Sequence, residues 1–162
     1  MKAMQRFFAV LIIFLVTSAQ VSAVAFPGNA VPFNARLQAG YEPSGVIWHG
    51  RFQSFFVIWD NGYVTQLDRN GNSVRQSGRI LGNRGVTDLE GIAVVDEQSN
   101  LIYLLDEYPQ QIIEFDVNAW VETGRIWQLQ GMLGNSKDGA EALTYNKDRG
   151  VFYVGSQYDG QI

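Results

Sequence analysis

The stretch Asp88-Leu89-Glu90-Gly91, followed by the apolar run Leu101–Asp106, decides how this sequence is interpreted. It has one counterpart earlier in the chain, Glu42-Pro43-Ser44-Gly45, and one later, Gly139-Ala140-Glu141-Ala142, and an apolar run follows each of them. Ser44, Glu90 and Glu141 therefore hold the same place in three copies of one unit. The copies begin roughly 50 residues apart, a period typical of propellers and solenoids, in which one unit cannot bury its apolar faces alone.

Each copy contains short segments rich in aromatic and β-branched residues, which Gly, Asn and Asp separate. Such segments are typical of antiparallel strands joined by tight turns. The predicted strands cover residues 46–48, 55–59, 63–67, 74–80, 92–95, 102–105, 112–115, 127–129, 143–145 and 152–154. Residues 118–123 have room for one helical turn at most. The prediction is an all-β fold of four-stranded antiparallel units, each of them a propeller blade.

The number of copies is small for a propeller, because the sequence holds about two and a half blades. Closed propellers have roughly 4 to 8 blades, and an open array leaves a sheet edge and an apolar face uncovered. We therefore expect residues 38–162 to be a partial propeller domain from the N-terminal part of a longer protein. The alternative is a short chain that closes by assembling with copies of itself.

Residues 1–25 have the three parts of a secretory signal peptide. Lys2 and Arg6 give a positive start, residues 7–16 are apolar, and Ala23 or Ala25 offers a small-residue cleavage site. The apolar run is shorter than the roughly 20 residues that cross a bilayer, although an uncleaved anchor is the alternative. We expect export, with an irregular lead-in at residues 26–37. The expected location is therefore secreted or periplasmic. Because the chain has no Cys and its stability must come from burial, a bacterial cell envelope is favoured over a eukaryotic extracellular space.

The charge balance argues against nucleic acid as a partner. The chain has 16 acidic and 12 basic residues, a formal net charge of −4, and removal of Lys2 and Arg6 would make it more negative. Phosphate backbones require clustered Lys and Arg. An acidic surface instead suits cations, and it is also an ordinary route to solubility.

Acidic residues at the heads of the copies are the candidate site. In a propeller the innermost strand of every blade borders the central channel, so carboxylates at these heads converge there. Converging carboxylates repel one another unless a cation or protons intervene, and their oxygens are the ligands that Ca²⁺ requires. The candidate metal ligands are Glu42, Asp88, Glu90 and Glu141. Two alternatives stay open: each Glu bonds the backbone of the neighbouring blade, or one of them is a catalytic carboxylate.

Three further features carry weaker hypotheses. Asp60 and Asp106, with Gln157 in the third copy, are predicted to be equivalent and to bond the backbone of the next turn. The segment that begins at Asp68 resembles the start of a calcium loop, but its later positions do not fit an EF-hand, so it is predicted to be a hairpin turn. His49 is the single histidine, and we expect an incidental surface position for it.

The order of Glu42-Pro43-Ser44-Gly45, Asp60-Asn61-Gly62 and Thr87-Asp88-Leu89-Glu90-Gly91-Ile92 resembles the SdiA-regulated protein family over residues 38–162. That family is related to phytase-like and esterase-like β-propellers. The resemblance implies a six-bladed propeller of the bacterial envelope, with acidic channel residues that hold Ca²⁺. One departure is Ala142, which stands where the other two heads have Gly.

The expected function is an exported binding protein with Ca²⁺ in its channel and a small-molecule or protein ligand on its face. A calcium-dependent hydrolase of phosphoesters, esters or lactones is the first alternative, in which Glu90 or Asp88 serves as ligand or base. A scaffold without a ligand is the second. The sequence contains no nucleophile-elbow Ser motif and no Cys, so a non-enzymatic role is favoured.

Overall fold

The computed structural model describes residues 42–76, 87–131, 139–158, 160 and 162, all of which belong to the compact unit Pro32–Ile162. The predicted signal segment at 1–25, the lead-in at 26–37 and the end of the strand predicted at 74–80 lie outside the described residues. Within the described part every regular element is a β-strand, and every pairing is antiparallel. None of the described segments forms a helix long and apolar enough to cross a membrane.

The strands form two four-stranded sheets and one two-stranded sheet, which we call blades 1, 2 and 3. Blade 1 contains β1 (Pro43–His49), β2 (Ser54–Trp59), β3 (Val64–Leu67) and β4 (Ser73–Gln76). Blade 2 contains β5 (Leu89–Ala93), β6 (Leu101–Asp106), β7 (Gln111–Asp116) and β8 (Val121–Gln128). Blade 3 contains β9 (Ala140–Asn146) and β10 (Val151–Ser156). In both complete blades the strands lie side by side in chain order, which confirms the predicted four-stranded units.

The fourth strand of blade 2 differs from the prediction. It begins at Val121, whereas the sequence pattern placed its start at residue 127 and allowed a helical turn before it. Residues 117–120 form a tight turn instead, in which the N–H of Trp120 donates to the carbonyl of Asp116 at 2.7 Å. Trp120 takes a positive φ of 64°, so the chain leaves the turn directly into a strand.

The segment that begins at Asp68 is a hairpin turn, as predicted. One oxygen of the Asp68 carboxylate, Oδ1, accepts hydrogen bonds from the backbone N–H groups of Asn70 and Asn72 at 2.8 and 2.9 Å. Gly71 has a φ of 78°, a conformation that side-chain-bearing residues rarely adopt. These bonds hold the turn that joins β3 to β4.

Two apolar clusters hold the blades together. Between blades 1 and 2 the buried side chains include Phe56, Ile58 and Ile92. Between blades 2 and 3 they include Leu105 and Ile112, with Leu143 and Phe152 packed against them. Each fully buried side chain of this size contributes about 1.5–3 kcal/mol, so burial between blades stabilises the fold without disulfides.

His49 lies in the interior, and the expectation of a surface histidine was wrong. Its side chain has no exposed surface and packs edge-on against Phe52 and Phe56, at centroid distances of 5.0 and 6.0 Å. The reason is its place at the end of β1, where it pairs with Ser54 and the following hairpin folds over it. His49 is therefore part of the hydrophobic core and not of the acidic group at the blade heads.

Candidate functional site

Each first strand of a blade has a β-bulge at its second residue. The pairing with the neighbouring strand skips Ser44 in blade 1, Glu90 in blade 2 and Glu141 in blade 3. A bulge leaves one residue without a cross-strand partner and re-aims its side chain. The predicted equivalence of these three residues is confirmed, and the bulge is the shared device that turns the two Glu side chains out of the ladder.

The re-aimed side chains meet in one open pocket of about 510 Å³ at the heads of the three blades. Its lining residues are Glu42, Pro43, Ser44, Asp60, Asp88, Glu90, Glu107 and Glu141. The structure thus places all four predicted metal ligands in the same pocket, although their role as ligands stays a prediction. Among the described residues, six of the eight that line the pocket are acidic and none is Lys or Arg, so they give it a strongly negative potential.

Three carboxylates form the tightest group in this pocket. Asp88, Glu90 and Glu107 each offer one oxygen, and these oxygens lie within 4.8 Å of one another. Glu42 and Glu141 line the pocket outside this group. Glu107 belongs to this group although the sequence analysis did not predict it as a site residue.

Glu90 responds to this crowding with a large change in acidity. Its pKa is raised to about 8, first because burial removes water from the carboxylate and then because Asp88, Glu141 and Glu107 repel a second charge nearby. A hydrogen bond with Asp88 also favours the protonated form of Glu90. At neutral pH the metal-free pocket therefore retains a proton that a cation would displace.

Glu107 is the most buried carboxylate of the group, at 3% exposure. Its Oε1 accepts a hydrogen bond of 2.6 Å from the backbone N–H of Gly139, at the head of blade 3. Burial raises the pKa of Glu107, and this hydrogen bond offsets part of the rise. Glu107, which was not among the predicted candidates, thus bonds the backbone of the neighbouring blade and also lies beside Asp88 and Glu90.

Asp106 is not the counterpart of Asp60, and that part of the prediction was wrong by one residue. The N–H of Asp60 donates to the carbonyl of Glu42, and the N–H of Glu107 donates to the carbonyl of Asp88 in the same way. Gly91 pairs with Leu105, whereas Gly45 pairs with Ile58, so the connection between β5 and β6 is one residue longer than in blade 1. Counting the same number of residues from the bulge therefore reaches Asp106 in blade 2, one residue before Glu107, which is the true counterpart of Asp60.

Asp106 is not among the residues that line the pocket, but it holds the backbone of a lining residue in place. It is buried, and its carboxylate accepts hydrogen bonds from Gln111 Nε2 at 2.8 Å and from the N–H of Asp88 at 3.3 Å. Burial raises the pKa of Asp106 to about 6, although these bonds favour its charged form. Asp106 thereby fixes the backbone at Asp88. It also bonds the backbone of Tyr108, in the turn that follows β6, and this bond is the one that the sequence predicted.

A comparison with known protein families identifies the family of this chain. The SdiA-regulated family profile matches residues 22–159, which is most of the chain. The chain belongs to the SdiA-regulated family. Its described blades are those of a β-propeller, as the resemblance implied. No curated protein matches the chain.

Solved structures show the same fold at low identity. The RRP9 WD40 repeats superpose with a TM-score of 0.53 at 7% identity, covering 74% of this chain and 34% of that one. Hydrazine synthase from Kuenenia stuttgartiensis also gives a TM-score of 0.53, at 12% identity, covering 78% of this chain and 32% of that one. The chain thus spans about a third of the length of these proteins, and the likeness concerns the propeller fold alone.

Proposed function

We propose that this SdiA-regulated propeller is an exported binding protein that holds Ca²⁺ in the pocket at its blade heads. The observation that carries the proposal is the meeting of Asp88, Glu90 and Glu107, whose oxygens lie within 4.8 Å of one another. Two oxygens on one Ca²⁺, at 2.3–2.6 Å from the ion, are at most about 5 Å apart. The group therefore has dimensions that one ion can satisfy.

The donor chemistry favours a hard cation. All acidic lining residues offer oxygen, the chain has no Cys, and its single histidine is packed in the core. Zinc and copper sites usually draw on thiolate or imidazole ligands, whereas Ca²⁺ takes six to eight oxygens. Glu42 and Glu141 are the proposed additional ligands at the pocket wall, since each lines the same space.

The pocket is larger than an ion requires. A volume of about 510 Å³ lies within the range of small-molecule sites. We propose that a bound Ca²⁺ presents open coordination positions to an oxygen-bearing ligand. An anionic or hydroxyl group would suit these positions, because the walls themselves repel anions unless the ion is present.

The test is a thermal melt of the full chain in EDTA and in Ca²⁺. At Ca²⁺ a hundredfold above Kd the expected stabilisation is about 2.7 kcal/mol, and Glu90→Gln should abolish most of it. Glu97→Gln is the matched control, because Glu97 is an exposed carboxylate on the hairpin at the far end of β5. If the two variants are stabilised equally by Ca²⁺, or if no divalent ion stabilises the chain, the metal site is refuted and the scaffold without a ligand is favoured.

The hydrolase alternative has its own readout in the same preparation. Turnover of a chromogenic phosphoester, ester or lactone that EDTA stops and Ca²⁺ restores would show that the protein is an enzyme rather than a binding protein. Export is tested separately, by cell fractionation and by the N-terminal sequence of the mature protein. Recovery of the uncleaved chain in the cytoplasm would refute it.

A further inference from the structure

A series of hydrogen-bonded polar side chains crosses blade 2 from its outer strand to the pocket. Gln128 Nε2 of β8 donates to Gln111 Oε1 of β7 at 2.7 Å, and Gln111 Nε2 donates to Asp106 Oδ2 of β6 at 2.8 Å. Asp106 Oδ1 in turn accepts a hydrogen bond from the N–H of Asp88 at 3.3 Å. The series therefore begins at the exposed side chain of Gln128 and ends at a residue that lines the pocket.

The sheet register and the bond directions make this arrangement specific. Asp106 pairs with Gln111 across the sheet, and Gln111 pairs with Gln128. A charged carboxylate only accepts hydrogen bonds, so the donor end of the Gln111 amide faces Asp106 and its oxygen faces Gln128. The carbonyl of Asp88 accepts a further bond of 2.7 Å from the N–H of Glu107. The backbone of Asp88 is therefore held on both sides.

Packing alone does not account for polar side chains at this place. Asp106 and Gln111 are 1% and 2% exposed. The next cross-strand pair on the same face of the sheet is Leu104 with Ile113, and both belong to the apolar core. Burying a charged group costs several kcal/mol, and apolar residues of similar volume in its place are often as stabilising or more so. The polar series therefore indicates a role other than packing.

The other two described blades have no acid at the position of Asp106. Each of these positions pairs with the residue before the bulge, and it is occupied by Trp59 in blade 1 and by Ser156 in blade 3. Blade 2 is also the blade that supplies all three carboxylates of the tightest group in the pocket. Among the described blades, the polar series thus occurs in the one that contributes these carboxylates.

We propose that Gln111 and Gln128 are positioning residues of the cation site, which act through Asp106 to hold Asp88 in its place beside the ion. This role rests on the proposed function, since it concerns the binding of Ca²⁺ in the same pocket. A ligand that is already held in its bound position loses less conformational freedom on binding, which favours affinity. Without the donor from Gln111, the carboxylate of Asp106 is free to turn away from the N–H of Asp88.

The test measures two properties of the full chain, the affinity for Ca²⁺ by calorimetry and the hydrogen exchange of the Asp88 amide by NMR in EDTA. Gln111→Met retains the length of the side chain and removes its hydrogen bonds. Ca²⁺ binding should weaken about fivefold, the equivalent of one hydrogen bond, and the Asp88 amide should exchange faster by about the same factor. Gln128→Met, one bond further from the pocket, should change both properties in the same direction by less.

Gln66→Met is the matched control. Gln66 is also a residue of a third strand, β3, and its Nε2 donates to Ser54 Oγ at 3.0 Å. Ser54 lies at the end of blade 1 opposite to the blade head. The control therefore removes a comparable hydrogen bond away from the pocket, and it should leave the Ca²⁺ affinity and the exchange of the Asp88 amide unchanged.

An exchange of donor and acceptor separates positioning from general loosening of the blade. In the double variant Asp106→Asn, Gln111→Glu the amide and the carboxylate trade places, so the bond between them is retained and the net charge stays the same. The new amide oxygen at position 106 still accepts from the N–H of Asp88. The double variant should therefore recover most of the Ca²⁺ affinity that Gln111→Met loses.

Three results would overturn the positioning role while native Ca²⁺ binding persists: native affinity or unchanged amide exchange in Gln111→Met, an equal loss in Gln66→Met, or no recovery in the double variant. If Gln111→Met does not fold, Gln128→Met supplies the same comparison, because its side chain is exposed. Absence of Ca²⁺ binding by the native chain would instead refute the cation site, and the positioning role with it.

Discussion

Glu107 in blade 2 accepts a hydrogen bond of 2.6 Å from the backbone N–H of Gly139 in blade 3. Both groups are buried, so the bond joins two sheets with little competition from water. The same carboxylate belongs to the proposed cation site. Glu107 therefore both holds the heads of blades 2 and 3 together and contributes an oxygen to the pocket.

We expect Glu107→Ala to lower the free energy of unfolding by about 2–3 kcal/mol in EDTA, because it leaves the N–H of Gly139 buried without an acceptor. Glu107→Gln should cost less than about 1 kcal/mol, since the amide oxygen can accept the same bond and the repulsion with Asp88 and Glu90 disappears. Urea unfolding measures both values. Equal losses in the two variants would show that this hydrogen bond does not carry the effect.

Gly91 has a structural reason to be glycine. A Cβ on Gly91 would lie 2.7 Å from Leu143 Cβ and 2.8 Å from its backbone N, whereas a Cβ on Gly45 would meet only side-chain ends of Ile58 and Ile92, at 3.1 Å. Backbone cannot yield as a side chain does. Gly91→Ala should therefore destabilise by about 3 kcal/mol or more, and Gly45→Ala by about 1 kcal/mol or less.

Thermal melts of these two variants decide the matter. A larger loss for Gly45→Ala would mean that the blades do not pack as described. The comparison also explains the head of blade 3, where Ala142 replaces the glycine: a Cβ is already tolerated there, beside Gly155.

The sequence predicted the repeated unit because strand and turn chemistry are local. Asn and Gly at the hairpins, and β-branched and aromatic residues between them, predicted the strands of blades 1 and 2 at nearly the right places, with the exception of β8. The pocket followed from the same repeat, because equivalent residues at Ser44, Glu90 and Glu141 must converge if the blades are radial. Both inferences need only spacing along the chain.

The errors arose where packing between distant residues decides the outcome. Glu107 was missed because a longer connection in blade 2 shifts the register by one residue, which counting from Glu90 cannot detect. Whether His49 faces water or core depends on how the next hairpin folds over β1, and a lone polar residue at a strand end does not reveal this. The early start of β8 depends on the positive φ of Trp120, a conformation that its residue type disfavours.

The raised pKa of Glu90 predicts an unusual pH dependence of stability. The folded value is about 8 and the ordinary value 4.5, so between them the unfolded chain has released a proton that the folded chain retains. In EDTA the contribution of Glu90 to stability is therefore complete below about pH 4.5 and is lost as the pH rises to about 8. The stability of the native chain relative to Glu90→Gln should fall across this window.

Urea unfolding at several pH values measures this difference, and a curve that is flat between pH 5 and 8 would contradict it. Since a cation must displace the proton, Ca²⁺ binding by the native chain should strengthen over the same interval. Asp148→Asn, which alters an exposed carboxylate in the turn between β9 and β10, should track the native chain throughout.

The lowered pKa of His49 predicts a pH dependence of stability with the opposite sign, in which stability is lost as the pH falls. Burial lowers its pKa below the ordinary 6.5, and Arg51 adds to this, although Glu97 and Asp96 oppose it. The folded chain therefore resists the protonation that the unfolded chain accepts. The contribution of neutral His49 is present above about pH 6.5 and is lost as the pH falls through the lowered value.

His49→Phe should remove this loss, because a phenyl ring can occupy the aromatic contacts with Phe52 and Phe56 without a titratable nitrogen. Neither ring nitrogen has a hydrogen-bond partner in the described part of the chain, so the substitution should cost less than about 1.5 kcal/mol at pH 8. The difference between variant and native stability should then shift in favour of the variant between pH 7 and pH 5. A difference that stays constant over this range would place His49 in contact with water and contradict its position in the core.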